Sequence, residues 1–129
     1  MREGVKHLPD LPADVFMVTL NKTDDHYSPT TMYEDYAISD TLFHWQSQST
    51  TSDTSPTGRR YIEHEQRGHW ILLFVREDRR HNNQACPYHF LGPASYVSHT
   101  GSRPISITWR LHHPMPAHLL RETSRLITA

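Results

Sequence analysis

Short apolar runs separated by polar loops recur along most of this chain, a pattern that predicts strands more than long helices. Residues 15–20 and 69–75 are continuous apolar, β-prone runs, which is typical of buried strands. Residues 104–111 alternate cleanly between apolar and polar positions, as expected for a strand with one face in the core. The predicted inward-facing residues of this strand are Ile105, Ile107, Trp109 and Leu111.

The remaining pattern predicts shorter elements. Residues 60–64 are expected to form a strand that pairs with 69–75 in a hairpin, because Gln66-Arg67-Gly68 between them has turn chemistry. Trp70, inside the most apolar run, is predicted to be core. A strand is also expected over residues 87–93, ended by a Gly-Pro turn, and a hairpin turn over 99–102.

Two helices complete the prediction. Ser28 followed by Pro29 is a helix-start signal, so a one- or two-turn helix is expected over residues 28–38. Residues 116–127 carry an apolar stripe at helical spacing, which predicts an amphipathic helix. Residues 50–57 contain no hydrophobic residue and are expected to form a loop.

The chain of 129 residues suits a single domain. Its proline-punctuated residues 1–14 are predicted to be a tail or linker, with the domain over 15–129. The elements together predict a mainly β fold: a small curled β-barrel of about seven short strands with one or two short helices.

The charge is distributed unevenly although the net charge is only −1. Residues 1–57 hold nine acidic and three basic residues, whereas residues 58–129 hold five acidic and ten basic ones. The balance excludes a strongly basic, indiscriminate DNA binder but allows a local positive face. Cys86 is the single cysteine, so an internal disulfide is excluded and a cytoplasmic location is expected.

An aromatic, amide and arginine cluster over residues 42–62 is the candidate binding site. In an extended strand Gln46 and Gln48 share a face and present paired amides suited to reading a base edge. Trp45 and Tyr61 are candidates for base stacking, and nearby arginines for phosphate contacts. A strand running into a solvated polar loop is the plainer interpretation of the same pattern. The predicted nucleic-acid-binding residues are Trp45, Gln46, Ser47, Gln48, Arg59, Arg60, Tyr61 and Arg103.

Catalytic signatures are weak in this sequence. Eleven histidines are present, but none forms a zinc-type pair with cysteine or a His-Glu-x-x-His helix. No Gly-x-Ser-x-Gly elbow surrounds a serine, and no glycine-rich phosphate loop occurs. We therefore expect a binding module without a metal, a cofactor or its own catalytic residues.

Several blocks in one order carry a family resemblance. They include Leu-Phe-His-Trp-Gln-Ser-Gln-Ser at 42–49, Thr-Gly-Arg-Arg-Tyr-Ile at 57–62 and Arg-Pro-Ile-Ser-Ile-Thr-Trp-Arg-Leu at 103–111. Further blocks lie at 27–39, 72–77, 88–101 and 114–117. The chain resembles the uncharacterised C-terminal domain of bacterial superfamily II DNA/RNA helicases. Those proteins often carry a phospholipase-D-like nuclease domain and belong to restriction and phage-defence contexts.

The resemblance implies a targeting module and no catalytic residues, since the helicase and nuclease motifs of the larger proteins are absent here. The sequence-based hypothesis is a DNA-recognition module that reads modified or foreign DNA for a helicase or nuclease. One alternative is a protein-interaction domain that docks such a partner. A second is a small metal-dependent hydrolase that uses histidine and aspartate side chains.

Overall fold

A computed structural model describes residues 4–20, 35–78 and 80–121, and it shows a mainly β protein. The mainly β prediction is confirmed. A helical segment also begins at residue 117 and continues to 121, where the described chain ends. The named elements are β1 (Val5–Leu8), β2 (Ala13–Thr19), β3 (Tyr36–Ala37), β4 (Leu42–Gln46), α1 (Pro56–Ile62), β5 (Trp70–Arg76), β6 (Arg80–His81), β7 (Gln84–Ala85), β8 (His89–Thr100) and β9 (Ser106–Leu111).

Seven strands form one sheet in the order β1-β2-β5-β8-β9-β4-β3, and β6 pairs with β7 in a small separate hairpin. Only β2 and β5 pair in parallel; the other neighbours in the large sheet are antiparallel. Within the described residues the sheet is not closed, because β1 and β3 remain its edges. The predicted curl is present, but the predicted barrel is an open sheet.

The sheet curls strongly about β8. The first half of this twelve-residue strand pairs with β5 and its second half with β9. Gly92, at the bend, has φ of 93°, and a Cβ there would lie 2.9 Å from the ring of His113. The curl brings distant strands together, since Phe16 of β2 stacks on Trp45 of β4 at 4.1 Å although three strands separate β2 from β4.

Helix α1 packs its buried face against the concave side of the sheet. Ser55 caps the helix by accepting a hydrogen bond from the Gly58 amide, and Pro56 occupies the first turn. Tyr61 meets the rings of Phe16 and Trp45 edge-on at 5.3 and 5.5 Å. The helix therefore fills the space between the two ends of the open sheet.

The alternation over residues 104–111 was predicted correctly, because Ile105, Ile107, Trp109 and Leu111 are buried in the core. The buried strand at 15–20 is also confirmed as β2, with Phe16 and Val18 inward. β8 and β9 form the predicted hairpin, but their connection lies over residues 101–105 and not over 99–102.

Several local predictions are wrong. Residues 60–62 belong to α1 and not to a hairpin strand, because the Ser55-Pro56 cap starts a helix inside the predicted loop. Residues 5–8 and 13–14, which the prediction placed in a tail, are strand residues of the sheet. The strand predicted over 87–93 runs through the Gly-Pro pair without ending.

The two predicted helices are only partly within the described residues. Residues 28–34 of the first lie outside them, and Tyr36–Ala37 is a short strand. Of the second, residues 117–121 are helical and Leu119 is fully buried. None of the described helices has the length and apolar character needed to cross a bilayer.

Candidate functional site

The two aromatic residues predicted to stack on bases are core residues. Trp45 is 4% exposed and Tyr61 is fully buried. Their rings are already packed on Phe16, and the Tyr61 hydroxyl is hydrogen-bonded to the Gln48 amide at 2.9 and 3.1 Å. Neither ring offers a free face to a base, so this part of the sequence-based hypothesis is wrong.

The predicted base-reading amides are used inside the protein. Gln48 holds Tyr61, and Gln46 donates from its side chain to the Ser106 hydroxyl at 3.2 Å. Ser47 is buried, where its hydroxyl accepts from the Ile105 amide and donates to a backbone carbonyl. These side chains fix the β4 end and the following loop instead of forming a reading surface.

The three predicted arginines do not point to a common surface. Arg60 turns inward and binds the fully buried Asp14 through two nitrogens, at 2.7 and 3.0 Å. Arg59 pairs with Glu63 one turn along α1. Arg103 is exposed. The structure therefore does not bring the eight predicted residues into one binding surface.

Asp14 is the centre of a buried polar network. Besides Arg60, it accepts from His69 Nε2 at 2.8 Å, and His7 Nδ1 lies 3.3 Å away. Burial alone would lower the pKa of Arg60, but the hydrogen bonds and charge of Asp14 raise it overall. The Arg60 guanidinium therefore compensates the buried carboxylate, which suits a structural ion pair.

A separate cleft lies between residues 63–70 and the outer face of β8 and β9. We call it the Trp70 cleft; its volume is about 260 Å³. Its lining residues are His64, Glu65, Gly68, His69, Trp70, Ala94, Ser95 and His112.

Trp70 begins β5 and is 52% exposed at the edge of the cleft. The prediction that it is a core residue is wrong, because Ile71, Leu73 and Val75 are the inward positions of this strand. The strand alternation itself carried the signal: if those three residues face inward, Trp70 faces outward.

Polar groups converge on the other side of the cleft. The Ser95 hydroxyl lies 2.7 Å from His112 Nε2 and 3.4 Å from a Glu65 oxygen. Ser95 is 3% exposed, whereas Glu65 and His112 are exposed and accessible to a ligand. The pair of β8 and β9 also sets the exposed Arg110 directly opposite Ser95.

His64 forms the inner wall of the cleft in its neutral form. The pKa of His64 is lowered from its ordinary value, and burial is the main cause. The Tyr96 amide donates to His64 Nε2 at 3.1 Å, so Nδ1 carries the proton and donates to the His69 carbonyl at 2.9 Å. This histidine is a positioning group that joins the loop before β5 to β8.

The cleft can hold a small planar ligand. A flat aromatic surface at one edge and hydroxyl, imidazole and carboxylate groups opposite are the elements by which proteins bind single bases. A hydroxyl beside an imidazole is also a nucleophile–base arrangement. However, Glu65 contacts the serine oxygen and not the imidazole, so the order of a Ser-His-acid triad is absent among the described residues.

Comparison with known sequences identifies the family. The chain matches the family described as Domain of unknown function (DUF3427) over residues 3–123, and it belongs to that family. No curated protein matches the chain.

Proposed function

We propose that this member of the DUF3427 family is a non-catalytic DNA-recognition module in which the Trp70 cleft holds one exposed base. The observation that carries the proposal is the half-exposed Trp70 ring beside a cleft of about 260 Å³ lined with polar groups. A pocket that combines an aromatic surface with a few convergent polar side chains is the usual form of a small-ligand site.

Each side of the cleft has a part in the proposed binding. The Trp70 indole stacks on the base, an interaction worth about 1–3 kcal/mol. Ser95, His112 and Glu65 offer donors and acceptors to the edge of the base. Arg110, opposite Ser95 on the exposed face, contacts a phosphate next to the bound nucleotide.

Binding of a single base suits a domain that inspects DNA for a partner enzyme. The sequence resemblance to domains attached to helicases supports this context, with a helicase or nuclease as the partner. A cleft that encloses one base is also the arrangement that distinguishes a modified base from an ordinary one, so we propose modified or foreign DNA as the ligand class.

The test is fluorescence-polarisation binding of the full chain to short labelled DNAs at two salt concentrations. The panel holds single strands, plain duplexes, and methylated, hydroxymethylated and phosphorothioate duplexes. Trp70→Ala should weaken binding to the preferred DNA about tenfold or more, as expected for one lost stacking contact. Arg110→Ala should weaken binding and reduce the salt dependence by about one phosphate contact.

Phe90→Ala is the matched control, because Phe90 is 57% exposed but stacks on Phe74 away from the cleft. It should bind DNA like the unmodified protein. Wild-type affinity in the Trp70 variant would contradict the proposed site. Absence of binding to every DNA would contradict DNA recognition and would favour the docking of a partner protein instead.

A further inference from the structure

A group of three potential metal ligands lies past the far end of β5 from the Trp70 cleft. Glu77 follows the last residue of β5, His89 begins β8, and His118 lies in the helical segment after β9. Three separate parts of the chain thus meet at one place. The three side chains are between 34% and 50% exposed, so an ion from solution reaches them without any opening of the core.

The ligand atoms already point toward one another. The Glu77 carboxylate oxygen lies 3.7 Å from His118 Nε2 and 4.0 Å from His89 Nε2, and all three atoms lie within 4.8 Å of one another. A tetrahedral zinc ion with bonds of about 2.0–2.1 Å separates its ligand atoms by about 3.3 Å. The two distances to Glu77 therefore need to contract by less than about 1 Å to hold the ion.

The other group with suitable ligand types, at Asp14, does not offer the same opportunity. There the Arg60 guanidinium binds both carboxylate oxygens and already provides the compensating positive charge. A metal cation at that place would be repelled by the nearby Arg60 guanidinium. In contrast, the two neighbours of the Glu77 carboxylate in the second group are imidazoles, which bind metal in their neutral form.

We propose that Glu77, His89 and His118 form a binding site for a divalent transition-metal ion of the zinc type. Two imidazole nitrogens and one carboxylate oxygen are the ligand set of several zinc sites, and a water molecule completes the tetrahedron. Glu77 and His89 also line an adjoining groove of about 440 Å³, together with His81 and Cys86.

Metal binding would connect the C-terminal helical segment to the sheet. His118 is the only one of the three ligands from that segment, whereas Glu77 and His89 are held by the paired strands β5 and β8. An ion that binds only the folded arrangement stabilises it. This inference is independent of the proposed DNA recognition, since it uses none of the residues of the Trp70 cleft.

The experiment is titration of the metal-stripped full chain with Zn²⁺ by calorimetry, together with thermal unfolding with and without the ion. We expect one ion per chain and a higher Tm in its presence. His118→Ala should lower the affinity by more than the 10- to 100-fold that loss of an outer-shell partner costs. Because Glu77→Gln removes only the charged ligand, it gives a second variant with little risk of misfolding.

Three control variants separate this site from adventitious binding. His7→Ala tests the group at Asp14, His113→Ala removes another exposed histidine near β8, and Cys86→Ser removes the thiol of the adjoining groove. All three should bind Zn²⁺ like the unmodified protein. The proposal is overturned if the chain binds no stoichiometric Zn²⁺. It is equally overturned if His118→Ala and Glu77→Gln leave the affinity unchanged, or if one of the controls abolishes binding.

Discussion

Neighbouring side chains in this protein have very different environments, and Arg59 and Arg60 show it best. Arg59 lies on the outer side of α1 and pairs with Glu63, a carboxylate whose pKa is lowered by its hydrogen bonds from Arg59 and Arg67. Arg60 points inward to Asp14, which is fully buried. The sequence presents the two arginines as equivalent phosphate ligands, whereas the placement of α1 directs Arg60 to a buried partner and Arg59 to a partner on the outer side.

Replacement of Arg60 by alanine should therefore destabilise the protein strongly. Removing one partner of a buried ion pair leaves an uncompensated charge, at a cost of about 3–5 kcal/mol. Arg59→Ala is the matched control and should change the free energy of unfolding little, because exposed ion pairs contribute little. Urea unfolding of both variants measures the difference. Equal stability of the two would show that Asp14 does not depend on Arg60.

The segment between α1 and β5 is the element that the sequence pattern described least well. Gln66-Arg67-Gly68 was expected to be the turn of a hairpin, but residues 63–69 connect a helix to a strand and form one wall of the Trp70 cleft. His64 holds this segment in place through its bonds to the His69 carbonyl and the Tyr96 amide. The bond from the Tyr96 amide requires the neutral imidazole, because a protonated Nε2 cannot accept a hydrogen bond.

The stability of the fold should consequently fall at mildly acidic pH. Burial lowers the pKa of His64 below the value of about 6.5 that the unfolded chain has. The contribution of His64 to the free energy of unfolding is thus fully present above about pH 6.5. It is lost as the pH falls toward the folded-state pKa, because the unfolded chain then binds the proton more readily than the folded protein does.

The measurement is the free energy of unfolding in urea at pH 7.5 and 5.5. The free energy of unfolding should decrease less from pH 7.5 to pH 5.5 in His64→Gln than in the unmodified protein, although the variant is less stable overall. His113→Gln removes an exposed histidine and should keep the full decrease. An unchanged decrease in His64→Gln would assign the pH dependence to other groups.

At the scale of the whole molecule, the aromatic cluster joins the two ends of the open sheet. Trp45 of β4 stacks on Phe16 of β2, and Tyr61 of α1 packs against both. These contacts take the place of the missing hydrogen bonds that would close a barrel. Trp45 is therefore a residue on which the tertiary fold depends.

Trp45→Ala should destabilise the whole domain by about 3–5 kcal/mol, the usual cost of removing a large buried aromatic ring. That is a large part of the roughly 5–15 kcal/mol that stabilises a typical domain. Trp70→Ala, with a half-exposed ring, should cost far less, within about 0.5 kcal/mol. Chemical unfolding followed by circular dichroism compares the two. A Trp45 variant as stable as the Trp70 variant would contradict the central position of Trp45 in the core.

The sequence by itself determined the elements whose pattern is long and regular. The alternation of Ile105, Ile107 and Trp109 and the apolar run of β2 follow from the burial of one or both faces of a strand, and both were predicted correctly. The helix start at Ser55-Pro56 was also available from the sequence, since it repeats the cap signal read at Ser28-Pro29. It was not used in the prediction, because residues 50–57 contain no hydrophobic residue and therefore show no helical pattern.

Only the tertiary structure decided that Trp45 packs in the core, that Trp70 borders a cleft and that distant polar residues meet. Trp45 and Trp70 each lie in an apolar stretch, yet the curl of the sheet buries the first against Phe16 and leaves the second at a cleft. Likewise, Glu77, His89 and His118 are far apart in sequence and meet because β5 and β8 pair and the chain returns beside them after β9. Local pattern fixes the period of burial along a strand, but contacts between distant strands determine which surfaces become sites.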